Sequence, residues 1–423
     1  MRILISAGEA SGEMYGAELI EALRARAGEE SAESRPKPAS EQNSRPQERG
    51  GPASINFFGA GGERMRAAGC EIVVDAKDLA VVGITEIFSH LPKILGLYKK
   101  LIHAADERRP DLAVVIDSPA FNWRVARQMH KRGIPVVYYV CPQFWAWRQG
   151  RVKLLRKYVD KALVIFPFEE KFYRDRGVDA VFVGHPLADL RPPAITREAY
   201  AEEYRLDLAK RWITLMPGSR RKEVRMNLPT IMEALGRLGD KYEYLLPVAP
   251  TLDPEFLRSV IGFDRSELPR LRFVPEALPA LYHSRAGIVA SGTATIEAAL
   301  MGTPFVMVYR VSPLTYALGK PRVKVAHFAM VNLISGDETV PELVQSRFTA
   351  ENIVAELEKI IPDGEPRSRM LQGLAGVREK LRRGSTSVHP AELAAETILR
   401  MVHLRMVQKN DVSVAPAGSA GRS

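Results

Sequence analysis

Apolar positions in this chain come in short β-branched blocks, separated by longer stretches in which apolar residues recur at helical spacing. The blocks at 3–6, 55–59, 112–117, 136–140, 162–166 and 181–184 predict one series of strands. Those at 212–216, 244–247, 271–274, 287–290 and 305–309 predict a second. Strands that are apolar on both faces, with helices between them, predict parallel sheets covered on both sides. Two such series predict an α/β protein of two Rossmann-like, doubly wound domains. Gly184-His-Pro186 and then Leu190-Arg-Pro-Pro-Ala194 read as the link between them. The expected N-terminal domain therefore spans 1–189 and the C-terminal domain 190–383, with 384–409 forming a closing helix.

Two segments break the pattern. Residues 27–52 are rich in Glu, Ser, Arg, Pro and Gln, with almost no apolar side chains, and predict a disordered surface insertion. The tail 410–423 reads the same way. A third segment is apolar to excess. Ile84, Ile87, Phe88, Leu91, Ile94, Leu95, Tyr98, Leu101 and Ile102 recur at helical spacing, with Pro92 inside the run and Lys93, Lys99 and Lys100 off the stripe. The stripe fits a core-facing helix and equally an interfacial helix that dips into anionic lipid. Each side chain leaving water contributes about 1.5–3 kcal/mol in either setting, so energetics does not separate the two.

Composition narrows the class. A chain of 423 residues has room for two cores, and 46% hydrophobic with 26% charged residues is ordinary for a globular protein. The net charge of +10 suits an anionic partner such as a nucleotide, acidic lipid or a phosphorylated substrate. Cys70 and Cys141 stand far apart in no metal spacing, which favours a reducing compartment. The chain enters a strand at Met1-Arg-Ile-Leu-Ile-Ser6 without an apolar leader, and no run approaches the length of a membrane span. A cytoplasmic location is expected.

Candidate chemistry gathers where predicted strands end. After strand 287–290 comes Ser291-Gly292-Thr293-Ala294-Thr295, a small-residue turn opening a helix, where N–H groups and hydroxyls suit a phosphate. Glu297 follows in the first helical turn. Its capping-box partner fails, because position 294 is Ala. A carboxylate beside an anion site suits ribose hydroxyls, and a nucleotide satisfies both halves. Strand 212–216 runs into Pro217-Gly218-Ser219-Arg220, where Gly218 admits a close phosphate and Arg220 can donate a charged bidentate bond.

The first strand leads to Gly8-Glu9-Ala-Ser11-Gly12-Glu13, whose spacing is wrong for G-x-G-x-x-G. Its carboxylates suit sugar hydroxyls or an acceptor nucleophile, and Ser11 also fits a helix cap. Asp117, closing strand 112–117, is either a general base or the cap of the next helix. The cluster Cys141-Pro-Gln-Phe-Trp145-Ala-Trp147-Arg148 reads as a wall of the active cleft, since no basic helix or nucleic-acid module accompanies it. No D-x-D pair, P-loop or H-E-x-x-H motif occurs. A diphosphate would then be met without metal or cofactor.

The combination Ser6-Ala-Gly-Glu-Ala-Ser-Gly12, Val140-Cys-Pro-Gln-Phe-Trp-Ala-Trp-Arg148, Phe166-Pro-Phe-Glu-Glu-Lys-Phe-Tyr173, Val183-Gly-His-Pro-Leu-Ala-Asp189, Met216-Pro-Gly-Ser-Arg220, Ala290-Ser-Gly-Thr-Ala-Thr-Ile-Glu297 and Met330-Val-Asn332-Leu-Ile resembles the lipid-A-disaccharide synthase family. Glu13 departs from it, standing where the family usually has Asp. The resemblance implies a GT-B architecture, with two Rossmann-like domains facing a cleft and the donor nucleotide in the C-terminal one. It implies inverting transfer from UDP-2,3-diacylglucosamine to 2,3-diacylglucosamine 1-phosphate, giving the β(1→6) disaccharide 1-phosphate and UDP. Asp117 is the base that suits this chemistry, with Glu9 as second candidate. Gly218, Ser219, Arg220, Ser291, Gly292, Thr293, Thr295, Glu297, Asn332 and Ser11 are the expected substrate contacts. Ile84, Ile87, Phe88, Leu91, Ile94 and Leu95 are the expected membrane contacts. The expected partners are the two acylated sugars and an anionic membrane surface, with no nucleic acid; a homo-oligomer is compatible with the sequence. The expected location is peripheral, on the cytoplasmic face of the inner membrane. Another UDP-sugar protein of the same architecture, such as a non-hydrolysing epimerase, is the rival.

Overall fold

A computed structural model describes residues 1–33, 55–79, 87–262, 270–320, 323, 325–383 and 388–413. The chain divides into two compact units. The first comprises Met1–Phe144, Gln149–Pro186 and Arg383–Ser423; the second comprises Trp145–Arg148 and Leu187–Arg382. The division falls at Pro186/Leu187, a few residues before the expected Pro-Pro link, and the Trp145–Arg148 segment groups with the second unit.

In the first unit, β1 (Arg2–Ala7), β2 (Asn56–Gly61), β3 (Cys70–Asp75), β4 (Leu112–Ile116), β5 (Val136–Tyr139), β6 (Lys161–Val164) and β7 (Ala180–Phe182) form one sheet in the order β3-β2-β1-β4-β5-β6-β7. Every pairing is parallel. In the second, β8 (Arg211–Met216), β9 (Tyr242–Pro247), β10 (Leu271–Val274), β11 (Ala286–Ala290), β12 (Phe305–Tyr309) and β13 (Glu342–Val344) follow the order β10-β9-β8-β11-β12-β13, again all parallel. Each sheet is the doubly wound arrangement expected from the sequence. The central strands are apolar on both faces because helices cover both: all of β4, Leu112–Ile116, is buried.

In each sheet the strand order reverses once, between β1 and β4 and between β8 and β11. Ligands in such folds bind beyond the carboxyl ends of the strands at that reversal. The register puts Ala7 beside Ile116 in one sheet and Met216 beside Val289 in the other. The loops that follow each pair therefore emerge side by side, at about the 4.8 Å strand spacing.

Three sequence expectations change. Residues 27–33, assigned to a disordered insertion, continue the helix Ala10–Glu33, since Ala and Glu hold a helix without needing a core contact; the rest of the insertion, 34–52, lies outside the described residues. The closing helix is Pro390–Ser413, so residues 410–413 of the expected tail are helical and 414–423 lie outside the described residues. It packs on the helix Ala10–Glu33 through buried Ala391, Ala394, Ala395 and Ile398, with Arg26 and Glu396 paired at 3.3 Å. The apolar stripe divides along the helix Ile87–Arg108. Ile94, Leu97, Tyr98 and Ile102 pack on the core of the first unit, whereas Leu95 is 47% exposed. Ile84 lies outside the described residues; Ile87, Phe88 and Leu91 fall in the opening turns. Among the described residues no helix is long and apolar enough to cross a membrane.

Candidate active site

The reversal point of the first unit carries carboxylates. Asp117 follows β4 directly and is half-buried, its amide donating to the Tyr139 carbonyl at 3.1 Å. Burial, reinforced by the nearby charge of Glu9, pushes its carboxyl from the ordinary 3.8 up to about 6, against an opposing hydrogen bond from the Ser118 backbone. Such a group is ionised at neutral pH and still basic enough to accept a proton. Both Asp117 (φ +48°) and Ser118 (φ +45°) occupy the left-handed region, which non-glycine residues enter at a cost that functional sites often bear. Asp117 is thus not the helix cap; Ser118 precedes the helix Pro119–Lys131 and makes no side-chain cap bond.

Glu9 precedes the helix Ala10–Glu33 and is exposed. Ser11 lies inside that helix's first turn, exposed, and is not its cap. Glu13 Oε1 accepts the Arg64 amide at 2.8 Å and so ties its helix to the short helix Glu63–Ala67 that follows β2. Gly8 has no room for a side chain, since a Cβ there would lie 2.5 Å from Ser118 Oγ. The two loops of this reversal point therefore touch.

The reversal point of the second unit carries small residues and a cation. Gly218 takes φ +126°, and Asn227, buried, donates to the Pro217 carbonyl at 2.8 Å to fix the turn. Arg220 immediately precedes the helix Arg221–Leu238, with its side chain largely exposed. Glu223 accepts the amides of Ser219 at 3.2 Å and Arg220 at 3.4 Å. It also accepts Arg220 Nη1 at 3.0 Å. A carboxylate of the chain itself thus engages these donors.

Across the reversal, Gly292 takes φ +137° and opens onto the helix Ala294–Leu300. Two hydroxyls expected on the ligand instead build the turn. Ser291 Oγ donates to the Phe328 carbonyl at 2.9 Å, and Thr295, fully buried, donates to the Gly292 carbonyl at 2.8 Å. Thr293 stays exposed. The amides of Gly292, Thr293 and Ala294 have no acceptor among the described residues. They form a small donor cluster of the kind anions use. Glu297 is half-buried with no side-chain partner among the described residues, and burial raises its pKa.

Asn332 makes its side-chain hydrogen bonds inside the fold. It is fully buried, its amide nitrogen donating to the Val340 carbonyl and to Glu342 Oε1, each at 2.9 Å. Its Oδ1 accepts the Val340 amide at 2.9 Å. These bonds hold the segment Met330–Ser335 against Val340 and Glu342. The Trp145–Arg148 segment also has its place: Trp145 is buried, and Trp147 is exposed, with the Arg148 guanidinium 4.2 Å over its ring.

Sequence reasoning passed over a cavity of about 800 Å³ beyond β12 and β13, lined in part by Arg310, Lys320, His327 and Arg347. These side chains are spread over the segment from 310 to 347, so no short motif announces them. Among the described residues no group of three or more His, Cys, Asp or Glu side chains is placed to hold a metal ion.

Known proteins share both the fold and these motifs. The family described as lipid-A-disaccharide synthetase matches residues 3–396. The lipid-A-disaccharide synthase of Koribacter versatilis is 51% identical over 94% of this chain and 98% of its own length. That of Acidobacterium capsulatum is 46% identical over 96% and 98%. Among solved structures, S. aureus MnaA in a UDP co-structure aligns with a TM-score of 0.58 at 12% identity, covering 99% of this chain and 100% of that one. A calicheamicin glycosyltransferase aligns with a TM-score of 0.55 at 16% identity, covering 98% and 99%. At these identities the two structures speak for the fold alone, that of GT-B glycosyltransferases and epimerases. The family match and the close relatives span nearly the whole chain, and it belongs to the lipid-A-disaccharide synthase family: it is a hexosyltransferase of lipid A biosynthesis.

Proposed function

We propose that the chain condenses UDP-2,3-diacylglucosamine with 2,3-diacylglucosamine 1-phosphate by inverting transfer, releasing UDP and forming the β(1→6) disaccharide 1-phosphate. The observation that carries this reading is the contrast between the two reversal points. One offers a carboxylate of raised basicity at Asp117; the other offers free amides, a glycine-rich turn and Arg220. Inversion needs a single base, and Asp117 takes the proton of the acceptor 6-hydroxyl as its oxygen attacks the anomeric carbon. The leaving diphosphate is stabilised by the amides of Gly292 and Thr293, the Thr293 hydroxyl, and Arg220, which exchanges Glu223 for a phosphate. Glu297 accepts ribose hydroxyls. Gly218 and Ser219 shape the turn, and Glu9 reinforces the basicity of Asp117.

The test is incubation with both acylated substrates and mass analysis of the products, with the anomeric configuration read by NMR. The disaccharide 1-phosphate with a β(1→6) linkage, formed together with UDP, is expected. Conversion of UDP-N-acetylglucosamine without any acceptor would instead identify an epimerase and refute the assignment.

Both substrates carry acyl chains and partition into membrane. We therefore also propose a peripheral protein of the cytoplasmic face of the inner membrane, docked through exposed Leu95 and the opening turns of its helix and aided by the net charge of +10. Sedimentation with anionic vesicles, lost on changing Ile87 and Phe88 to Ser, is expected. Protein that ignores such vesicles refutes the docking.

A further inference from the structure

The first unit holds a buried polar network that the proposed chemistry leaves unused. Asn122 is fully buried in the helix Pro119–Lys131. Its amide nitrogen donates to the carbonyls of Ile116 at 2.7 Å, Ser6 at 3.0 Å and Asp117 at 3.0 Å, with its two hydrogens shared among the three. Its Oδ1 accepts the Ser6 hydroxyl at 2.6 Å. From β5, the hydroxyl of fully buried Tyr138 donates to the Asp117 carbonyl at 2.8 Å. One carbonyl, that of Asp117, thus receives two side-chain donors from two different elements.

That carbonyl sits in the one stretch of described backbone where two consecutive non-glycine residues, Asp117 and Ser118, have positive φ. Relaxation to an extended conformation would turn the carbonyl away and forfeit both bonds. Burying Ser6, Asn122 and Tyr138 strips each of water, a cost that an apolar core would avoid. The bonds converge on the ends of β1 and β4 and on the elbow that follows β4. Gly8 closes over the same elbow, leaving no space beside Ser118 Oγ.

We propose that Ser6, Asn122 and Tyr138 are positioning residues, whose hydrogen bonds hold the Asp117–Ser118 backbone in its left-handed conformation and so aim the Asp117 carboxylate. This rests on the reading of Asp117 as the base. None of the three contacts the reacting atoms; they act through the elbow. Burial holds the Tyr138 hydroxyl protonated far into the alkaline range, so its donor role persists across working pH.

The experiment compares Tyr138→Phe, Ser6→Ala and Asn122→Ala with the parent and with Asp117→Asn. Tyr138→Phe and Ser6→Ala each delete one hydroxyl and leave the packing in place, so the test stands even where Asn122→Ala fails to fold. The expected result is unchanged UDP binding and a kcat reduced roughly 10–100-fold at nearly constant KM, the scale of a small misplacement. The acidic limb of the kcat/KM profile, near 6 in the parent, should also move toward the ordinary carboxylate range as a relaxed elbow exposes the carboxylate. A limb that stays in place, with activity lost only in proportion to unfolded protein, overturns the positioning role. An active Asp117→Asn overturns the base assignment and this proposal with it. An inactive Asp117→Asn beside a Tyr138→Phe variant identical to the parent overturns the positioning role alone.

Discussion

Changing Asp117 to Asn should abolish transfer and yet stabilise the protein, and the pH at which the stabilisation appears follows from the structure. The carboxyl rises from 3.8 to about 6 on folding, first through burial and then through Glu9. At about 1.4 kcal/mol per tenfold change in proton affinity, that rise corresponds to about 3 kcal/mol. The group is only half-buried, so solvent screening reduces the expectation to roughly 1–2 kcal/mol. The folded state binds the proton more tightly than the unfolded one. The stabilisation is therefore fully present below about pH 4 and lost as the pH rises through 6. Asn mimics the protonated form at every pH and keeps the Oδ1 acceptor for the Ser118 amide. The variant and the parent should unfold at similar urea concentrations near pH 4. At pH 7.5 the variant should gain the full 1–2 kcal/mol, or about 2–6 °C in thermal midpoint. Urea and thermal unfolding at pH 4.5, 6.0 and 7.5 measure the gap. A variant no more stable than the parent at pH 7.5, or a gap that ignores pH, would refute the claim that the site raises this pKa.

Other substitutions probe the second unit. Arg220→Ala should lower kcat/KM about 10²–10³-fold, as loss of a transition-state donor does, and Arg220→Lys should restore little because the bidentate fork is gone; steady-state rates within tenfold of the parent would remove Arg220 from the diphosphate. Asn332→Ala should cost roughly 1–3 kcal/mol in urea unfolding while the folded fraction keeps its donor KM, since three buried hydrogen bonds are lost and no ligand contact is; a raised KM at unchanged stability would return it to the ligand. Burial raises the Glu297 pKa, so acidification should raise the parent's donor KM earlier than an ordinary Glu would, and the profile of Glu297→Gln should be flatter.

What could be read from the sequence follows the physics of each feature. The inner strands were legible because burial on both faces leaves an uninterrupted apolar run, as in Leu112–Ile116. The strands Cys70–Asp75 and Glu342–Val344 went unread because they are sheet edges: the first is half-buried and framed by Glu71 and Asp75, and the second is three residues long. Motif positions were legible to the loop, since Gly218, Arg220, Gly292 and Asp117 all fall just beyond strand ends. The direction of each hydrogen bond was not. Ser291 and Thr295 look like ligand hydroxyls in one dimension, yet their acceptors are carbonyls that only the folded turn brings near. Asn122 and Tyr138 gave no signal because, in sequence, one is an ordinary helix residue and the other an ordinary strand residue.

The two units share a strand order at their reversal points, so topology cannot be what divides their labour. The division lies in the sign of the charge that each pair of loops presents. Beyond β1 and β4 the side chains are Glu9 and Asp117, and burial of Asp117, reinforced by the charge of Glu9, makes it the better base. In the proposed function that arrangement suits a neutral alcohol that must lose a proton. Beyond β8 and β11 the loops present Arg220 and the amides of Gly292, Thr293 and Ala294; Glu223 accepts the Ser219 amide and the Arg220 guanidinium, while the three amides across the reversal have no acceptor among the described residues. In the proposed function a phosphate takes over the Arg220 and Ser219 donors from that carboxylate with more charge, so donor binding there is an exchange of anions. Exchanging the charges, with Glu9→Gln at one point and Glu223→Gln at the other, should therefore act in opposite senses. The first lowers the basicity of Asp117 and moves the acidic limb of the rate profile down. The second frees Arg220 and tightens UDP. Calorimetric titration with UDP that finds weaker binding to Glu223→Gln would show that Glu223 organises the loop and is not a stand-in for phosphate.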